Sequence, residues 1–112
     1  MKKSVLVLLA ALILSACTSP SESGVKVIVG AKLENPGRAP IDYSVVVVEG
    51  GKITAAGPQS GVPVPKGSVI IRGLGMTIEP EPGGEPIVPG SAANLILKGP
   101  TDRRMHNGEW VP

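Results

Sequence analysis

Few side chains in this sequence could carry chemistry, and their spacing decides what each could do. The one histidine, His106, stands beside the dipeptide Asn107-Gly108. A hydrolytic metal site needs three or more His, Asp or Glu ligands around the ion, with an open position for water. His106 alone therefore reads as an exposed strand residue. Three carboxylates, Glu79, Glu81 and Glu85, cluster in "EPEPGGEP". Their spacing fits no EF-hand calcium loop and prolines separate them, so they read as a solvated linker. Gly73-Leu74-Gly75 lacks the third glycine and the following helix of a dinucleotide loop, and reads as a strand connection. Arg103-Arg104 flanks a turn and reads as plain surface charge. With His106 standing alone and the single thiol, Cys17, at the end of the N-terminal apolar run, no Ser-His-Asp or Cys-His set is assembled. The expectation is no catalytic residue, no metal ligand and no cofactor.

Cys17 has a different chemistry in prospect. "MKKSVLVLLAALILSAC" opens with Lys2 and Lys3, continues with an apolar run from Val5 to Leu14, and ends in small residues and the cysteine. A basic start, a short apolar stretch and a small-residue cleavage site make a secretory signal. The run is short of the ~20 apolar residues that span a bilayer comfortably. Leu14-Ser15-Ala16-Cys17 resembles the lipobox of bacterial lipoproteins. That resemblance implies cleavage between Ala16 and Cys17, and acylation of the Cys17 thiol and new amino group. An exported chain with one unpaired thiol is consistent with a thiol consumed in this way. Each buried CH₂ of an acyl chain adds about 0.8 kcal/mol, and more than one chain makes the anchor stable. Thr18 follows the cysteine; the lack of aspartate there implies, by the same resemblance, the outer membrane of a Gram-negative envelope, facing the periplasm. The partner expected from this segment is the membrane.

Cleavage after Ala16 leaves 96 of the 112 residues, enough for one small domain. Lys2 and Lys3 account for the whole formal net charge of +2; the other nine basic residues balance nine acidic ones. No basic patch argues for a nucleic-acid partner. All 15 glycines and 12 prolines lie in the mature part, yet they punctuate apolar runs rather than dilute them. Phe is absent and Tyr43 and Trp110 are the only aromatics, which predicts a thin, aliphatic core.

The elements that must position these residues are strands. Residues 1–16 form the signal peptide, expected to be helical, and 17–24 ("TSPSESG" after the cysteine) a polar tether. Residues 25–112 form the domain. Val25 to Glu34 reads as one strand, Asn35 to Ile41 as turn chemistry. "YSVVVVEGGKITAAG" reads as a hairpin about Gly50-Gly51, since paired glycines supply the positive φ angles of a two-residue turn. Pro58 to Gly67 is a loop. Ser68 to Gly73, Met76 to Pro80 and Asn94 to Lys98 are further strands, and Arg104 to Val111 closes as a hairpin about Asn107-Gly108. Six or seven short strands without a helical period predict an all-β sandwich or small barrel.

The order of these motifs resembles the terminal parts of amidohydrolase-superfamily enzymes, the metal-dependent hydrolases that include imidazolonepropionases, dihydroorotases and cytosine deaminases. Gly30 to Leu33 is similar to their "G-A-x-L". Val46 to Gly57 is similar to "V-V-V-E-G-G-K-I-x-A-x-G", and Val62 to Pro80 loosely to the region that follows. Gly90 to Leu97 resembles the family's "G-S-x-A-D-L-x-x-L", and Met105 to Val111 its closing strand pair with "V-N-G". The resemblance implies a composite β-sandwich built from N- and C-terminal strands. It also implies a (β/α)₈ barrel of roughly 250 residues between them, with an H-x-H metal motif just after the position of Pro80. Here residues 79–90 stand as a linker in its place, with only eight residues between Ile78 and Ile87.

Three readings of function follow. The first is a membrane-anchored, non-catalytic interaction or structural module. The second is an accessory part of a split amidohydrolase acting on carbon–nitrogen, non-peptide bonds, with the barrel on a separate chain. The third is a degenerate remnant.

Overall fold

The computed structural model describes residues 24–112. The expected signal peptide, the expected cleavage pair Ala16 and Cys17, and the expected tether up to residue 23 lie outside the described residues. The described part is all-β. Its strands are β1 (Val25–Val29), β2 (Lys32–Leu33), β3 (Ser44–Glu49), β4 (Lys52–Pro58), β5 (Val69–Arg72), β6 (Thr77–Pro80), β7 (Leu95–Lys98), β8 (Arg103–His106) and β9 (Glu109–Val111). They form a four-stranded sheet, β4-β3-β1-β5, and a five-stranded sheet, β2-β6-β7-β8-β9. The pairs β1/β5 and β2/β6 are parallel; the other pairs are antiparallel.

The predicted strand Val25 to Glu34 is two strands in two sheets. Gly30 takes φ +98°, a conformation that L side chains rarely adopt, and its N–H donates to the Ser44 carbonyl at 2.8 Å. The chain breaks there, leaves the first sheet after Val29 and enters the second at Lys32. Tyr43, expected within a strand, also stands outside it: its φ is +53°, its side chain is 61% exposed, and β3 begins one residue later. The other boundaries move little. β4 runs through Pro58, and β8 starts at Arg103.

The main core lies between the sheets. Ile28, Val46, Val48 and Ile53 from the first sheet meet Leu33, Ile78, Leu95, Leu97 and Met105 from the second, all at most 2% exposed. A second cluster, Val27, Val45 and Val47, packs with Val62 of the 58–67 loop. Alternate side chains of one strand point to opposite faces, so the four consecutive valines of β3 serve both clusters. That is why the run does not alternate with polar residues. The core is aliphatic, with Met105 its only sulfur-bearing member; Trp110 packs against its margin.

Both predicted turns are present, and they meet. Gly50 and Gly51 have φ +63° and +80°; Asn107 and Gly108 have +50° and +83°. A Cβ on Gly108 would sit 2.9 Å from Gly51 Cα, and one on Gly51 would sit 3.0 Å from the Asn107 carbonyl oxygen. The hairpin of the N-terminal part and the hairpin of the C-terminal part thus touch backbone to backbone. Side chains there would hold them apart.

Candidate functional site

The site to be built is the end of the sandwich where β6 leaves the second sheet and β7 returns to it. Ile78 pairs with Leu97 and Pro80 with Leu95. Glu79 and Pro80 are therefore strand residues, and the linker assigned to 79–90 begins only at Glu81. The strand continues because Glu79 still has a ladder partner, Ile96.

The segment 81–94 forms a strap. A tight turn comes first, Gly84 N–H donating to the Glu81 carbonyl at 2.8 Å. The chain then drives Ile87 into the main core, 2% exposed. The Asn35 side chain grips the Ile87 backbone from both sides: Nδ2 donates to the Ile87 carbonyl at 3.0 Å, and Oδ1 accepts from the Ile87 N–H at 2.8 Å. The preceding residue, Glu34, donates its N–H to the Ile78 carbonyl at 2.9 Å. Two consecutive residues thus hold the two ends of the segment between Ile78 and Ile87.

Beyond Ile87 the strap crosses to the first sheet. Gly90 N–H donates to the Ile53 carbonyl at 2.7 Å, Ile53 N–H to the Ser91 carbonyl at 2.8 Å, and Ala93 N–H to the Gly51 carbonyl at 2.9 Å. The edge of β4 near its hairpin is covered by these bonds. Glu85 Oε1 accepts from the Ala92 N–H at 3.1 Å, which closes the strap on itself.

Two of the three carboxylates, Glu79 and Glu81, are engaged with cations of the protein, contrary to the solvated linker expected of them, while Glu85 is exposed as expected. Glu79 faces Lys98 at 3.5 Å across the β6/β7 ladder. Glu81, its side chain 17% exposed, lies 3.4 Å from Arg104 Nη1 and 3.4 Å from His106 Nδ1. His106 is an exposed residue of β8, as expected, with Glu81 as its neighbour. Arg104 is an ion-pair partner rather than plain surface charge, and Arg103 stacks over the Trp110 ring at 4.0 Å. Gly73-Leu74-Gly75 is a turn between β5 and β6, closed by Met76 N–H on the Gly73 carbonyl at 2.8 Å.

An open cleft of about 520 Å³ lies over this end, with Glu34, Pro36, Arg38 and Pro40 on one wall and residues 79–84 on the other. Its acids do not converge: Glu34 pairs with Lys32 at 3.5 Å, and Glu79 and Glu81 turn to Lys98 and Arg104. Among the described residues, no group of three or more His, Cys, Asp or Glu side chains is placed to share a metal ion. Sequence reasoning missed Asn35 and Ile87. Asn35 reads as turn chemistry beside Pro36, and the two apolar residues Ile87 and Val88 between Pro86 and Pro89 are too short a run to carry periodicity.

No protein-family model matches the chain, and neither a curated protein nor a solved structure matches it.

Proposed function

We propose that the chain matures into a lipid-anchored protein of the bacterial cell envelope. Its β-sandwich acts there as a non-catalytic interaction or structural module, similar to the composite domain of amidohydrolases. The observation that carries the anchoring is the position of the one cysteine, Cys17, at the end of Leu14-Ser15-Ala16-Cys17 directly behind a basic and then apolar run. Acyl chains on Cys17 would dominate membrane affinity, and Thr18 favours the outer membrane, with the domain in the periplasm.

The stand-alone reading is supported by the strap. With Ile87 in the core and its backbone gripped by Asn35, the end of the sandwich is closed by the chain itself. A separate barrel chain would have to displace that segment or dock over it, which weighs against the split-enzyme reading. The composite character of the second sheet, β2 and β6 from one side of the strap and β7 to β9 from the other, supports the likeness to amidohydrolases.

The test is made on the native membrane. The wild-type protein is expected to begin at an acylated Cys17 and to partition into detergent; Cys17→Ser is expected to keep its signal peptide and lose the acyl mass. An unmodified mature form beginning at any other residue overturns the anchoring. Purified protein is expected to hold no stoichiometric zinc and to turn over no amide, lactam or amidine. Turnover that survives His106→Ala overturns the non-catalytic reading.

A further inference from the structure

We propose that the outer edge of β5 is a docking site for an extended segment of another protein, one whose apolar residues are flanked by carboxylates. The proposal rests on reading the domain as an interaction module, and it names the surface and the chemistry of the partner.

The four sheet edges are not equivalent. β2 is closed by Ile41, which exchanges two hydrogen bonds with Leu33 at 2.8 and 2.9 Å. The strap covers β4 near its hairpin, and β9 is only three residues long. β5 is longer, four residues, and among the described residues its only strand neighbour is β1, with no bridge or strap on its other side. Gly73 N–H donates to the Val29 carbonyl on β1. Backbone groups alternate in direction along a strand, so the N–H and C=O of Ile70 and Arg72 face away from the sheet. These are unpaired donors and acceptors in the arrangement that an added strand recognises.

The side chains along this edge are apolar where a blunted edge would be charged. Val69 and Ile70 are each 46% exposed, and no proline, bulge or inward charge interrupts Val69 to Ile71. Ile70 registers beside Val27 of the outer cluster, so a partner side chain on that face would extend an existing apolar surface. Charge free of a partner sits at Arg72, the last residue of the strand, and at Lys66, in the turn that precedes it. Lys66 and Arg72 are exposed, and among the described residues neither has a carboxylate within ion-pair distance. Two cations bracketing an apolar strand disfavour a second copy of the same edge, which would bring like charges together, and favour a strand with acids at its ends.

The test uses the full-length chain in non-ionic detergent and a fluorescein-labelled peptide, Asp-Val-Thr-Val-Thr-Val-Thr-Asp, followed by fluorescence anisotropy. Saturable binding is expected. The same peptide with lysines at its ends is expected to bind at least about tenfold more weakly, the equivalent of 1.4 kcal/mol. Ile70→Pro removes an N–H that faces solvent and leaves the β1 ladder intact; it is expected to weaken binding by at least the same factor. Lys66→Glu with Arg72→Glu, which leaves the backbone untouched, is expected to reverse the preference between the two peptides. Absence of saturable binding to the wild-type chain overturns the proposal, as does equal binding of both peptides. A wild-type dimer dispersed by Ile70→Pro would assign the edge to self-association and overturn it too. None of these outcomes depends on whether Cys17 is acylated, so failure here and failure of the anchoring are distinguishable.

Discussion

The Asn35 carboxamide and the Ile87 backbone are joined by two hydrogen bonds, 2.8 and 3.0 Å long, between residues 52 positions apart. One side chain thereby fixes the segment that links the two halves of the chain. Asn35→Ala would leave a part-buried N–H and C=O without partners, at a cost of about 1–3 kcal/mol for such groups. Thermal unfolding should show it, since each kcal/mol lowers Tm by roughly 4–8 °C in a domain of this size. An unchanged Tm would mean that the strap closes without Asn35.

Ile87 itself should matter more than the length of the strap. Ile87→Ala removes a fully buried side chain and should cost about 2–5 kcal/mol. Excising Pro82 and Gly83, which are exposed, removes the Glu81–Gly84 turn and its one hydrogen bond, about 0.5–1.5 kcal/mol, and changes loop-closure entropy by only a few tenths of a kcal/mol more. Denaturant titration of both variants checks the ranking, and a shortened strap as damaging as Ile87→Ala would contradict it.

The contact between the two glycine turns separates backbone conformation from packing. Gly50→Ala meets no atom within 4 Å and bears only its positive φ, about 1–2 kcal/mol. Gly108→Ala has a similar φ and in addition a Cβ at 2.9 Å from Gly51 Cα. Both hairpins must separate to admit it. Gly108→Ala should therefore be clearly the less stable variant by denaturant midpoint; equal losses would show that the turns do not touch in solution.

Glu81 should behave differently from Glu34. The Glu34 pair with Lys32 is open to water on both sides, so Glu34→Ala should fall within about 0.5 kcal/mol of wild type. Glu81 is largely covered and lies between Arg104 and His106. Glu81→Ala should destabilise measurably more, by an amount that shrinks as salt is added. Equal, negligible effects would return Glu81 to the status of a solvated linker residue.

Much of this fold was legible because its signals are local. Glycine pairs at 50–51 and Asn-Gly at 107–108 name their turns by the φ angles they permit, and the valines of β3 have no competing helical period. What escaped was decided by tertiary partners. Gly30 breaks a strand that looks continuous, because Val29 and Lys32 belong to different sheets. Ile87 looks like a loop residue between prolines and is core, because Asn35 holds it there. Glu79 and Glu81 of "EPEPGGEP" look solvated in sequence and find cations on β7 and β8, strands that follow them in the chain. The free edge of β5 was likewise invisible, since Val69 to Ile71 reads as any buried strand until its neighbours are known.

The central claim is that strands from both sides of the strap make one cooperative unit. Ending the chain after Gly84 removes Ile87, β7, β8 and β9, and leaves β2 and β6 as a two-stranded remnant of the second sheet. Ile78, Leu33, Val46 and Val48 would then face water, and a remnant of that kind is not stable alone. Circular dichroism during heating tests this directly. The full chain should show a β spectrum and one cooperative transition, and the truncated chain neither. A truncated chain that keeps a β spectrum and melts cooperatively would contradict the composite fold.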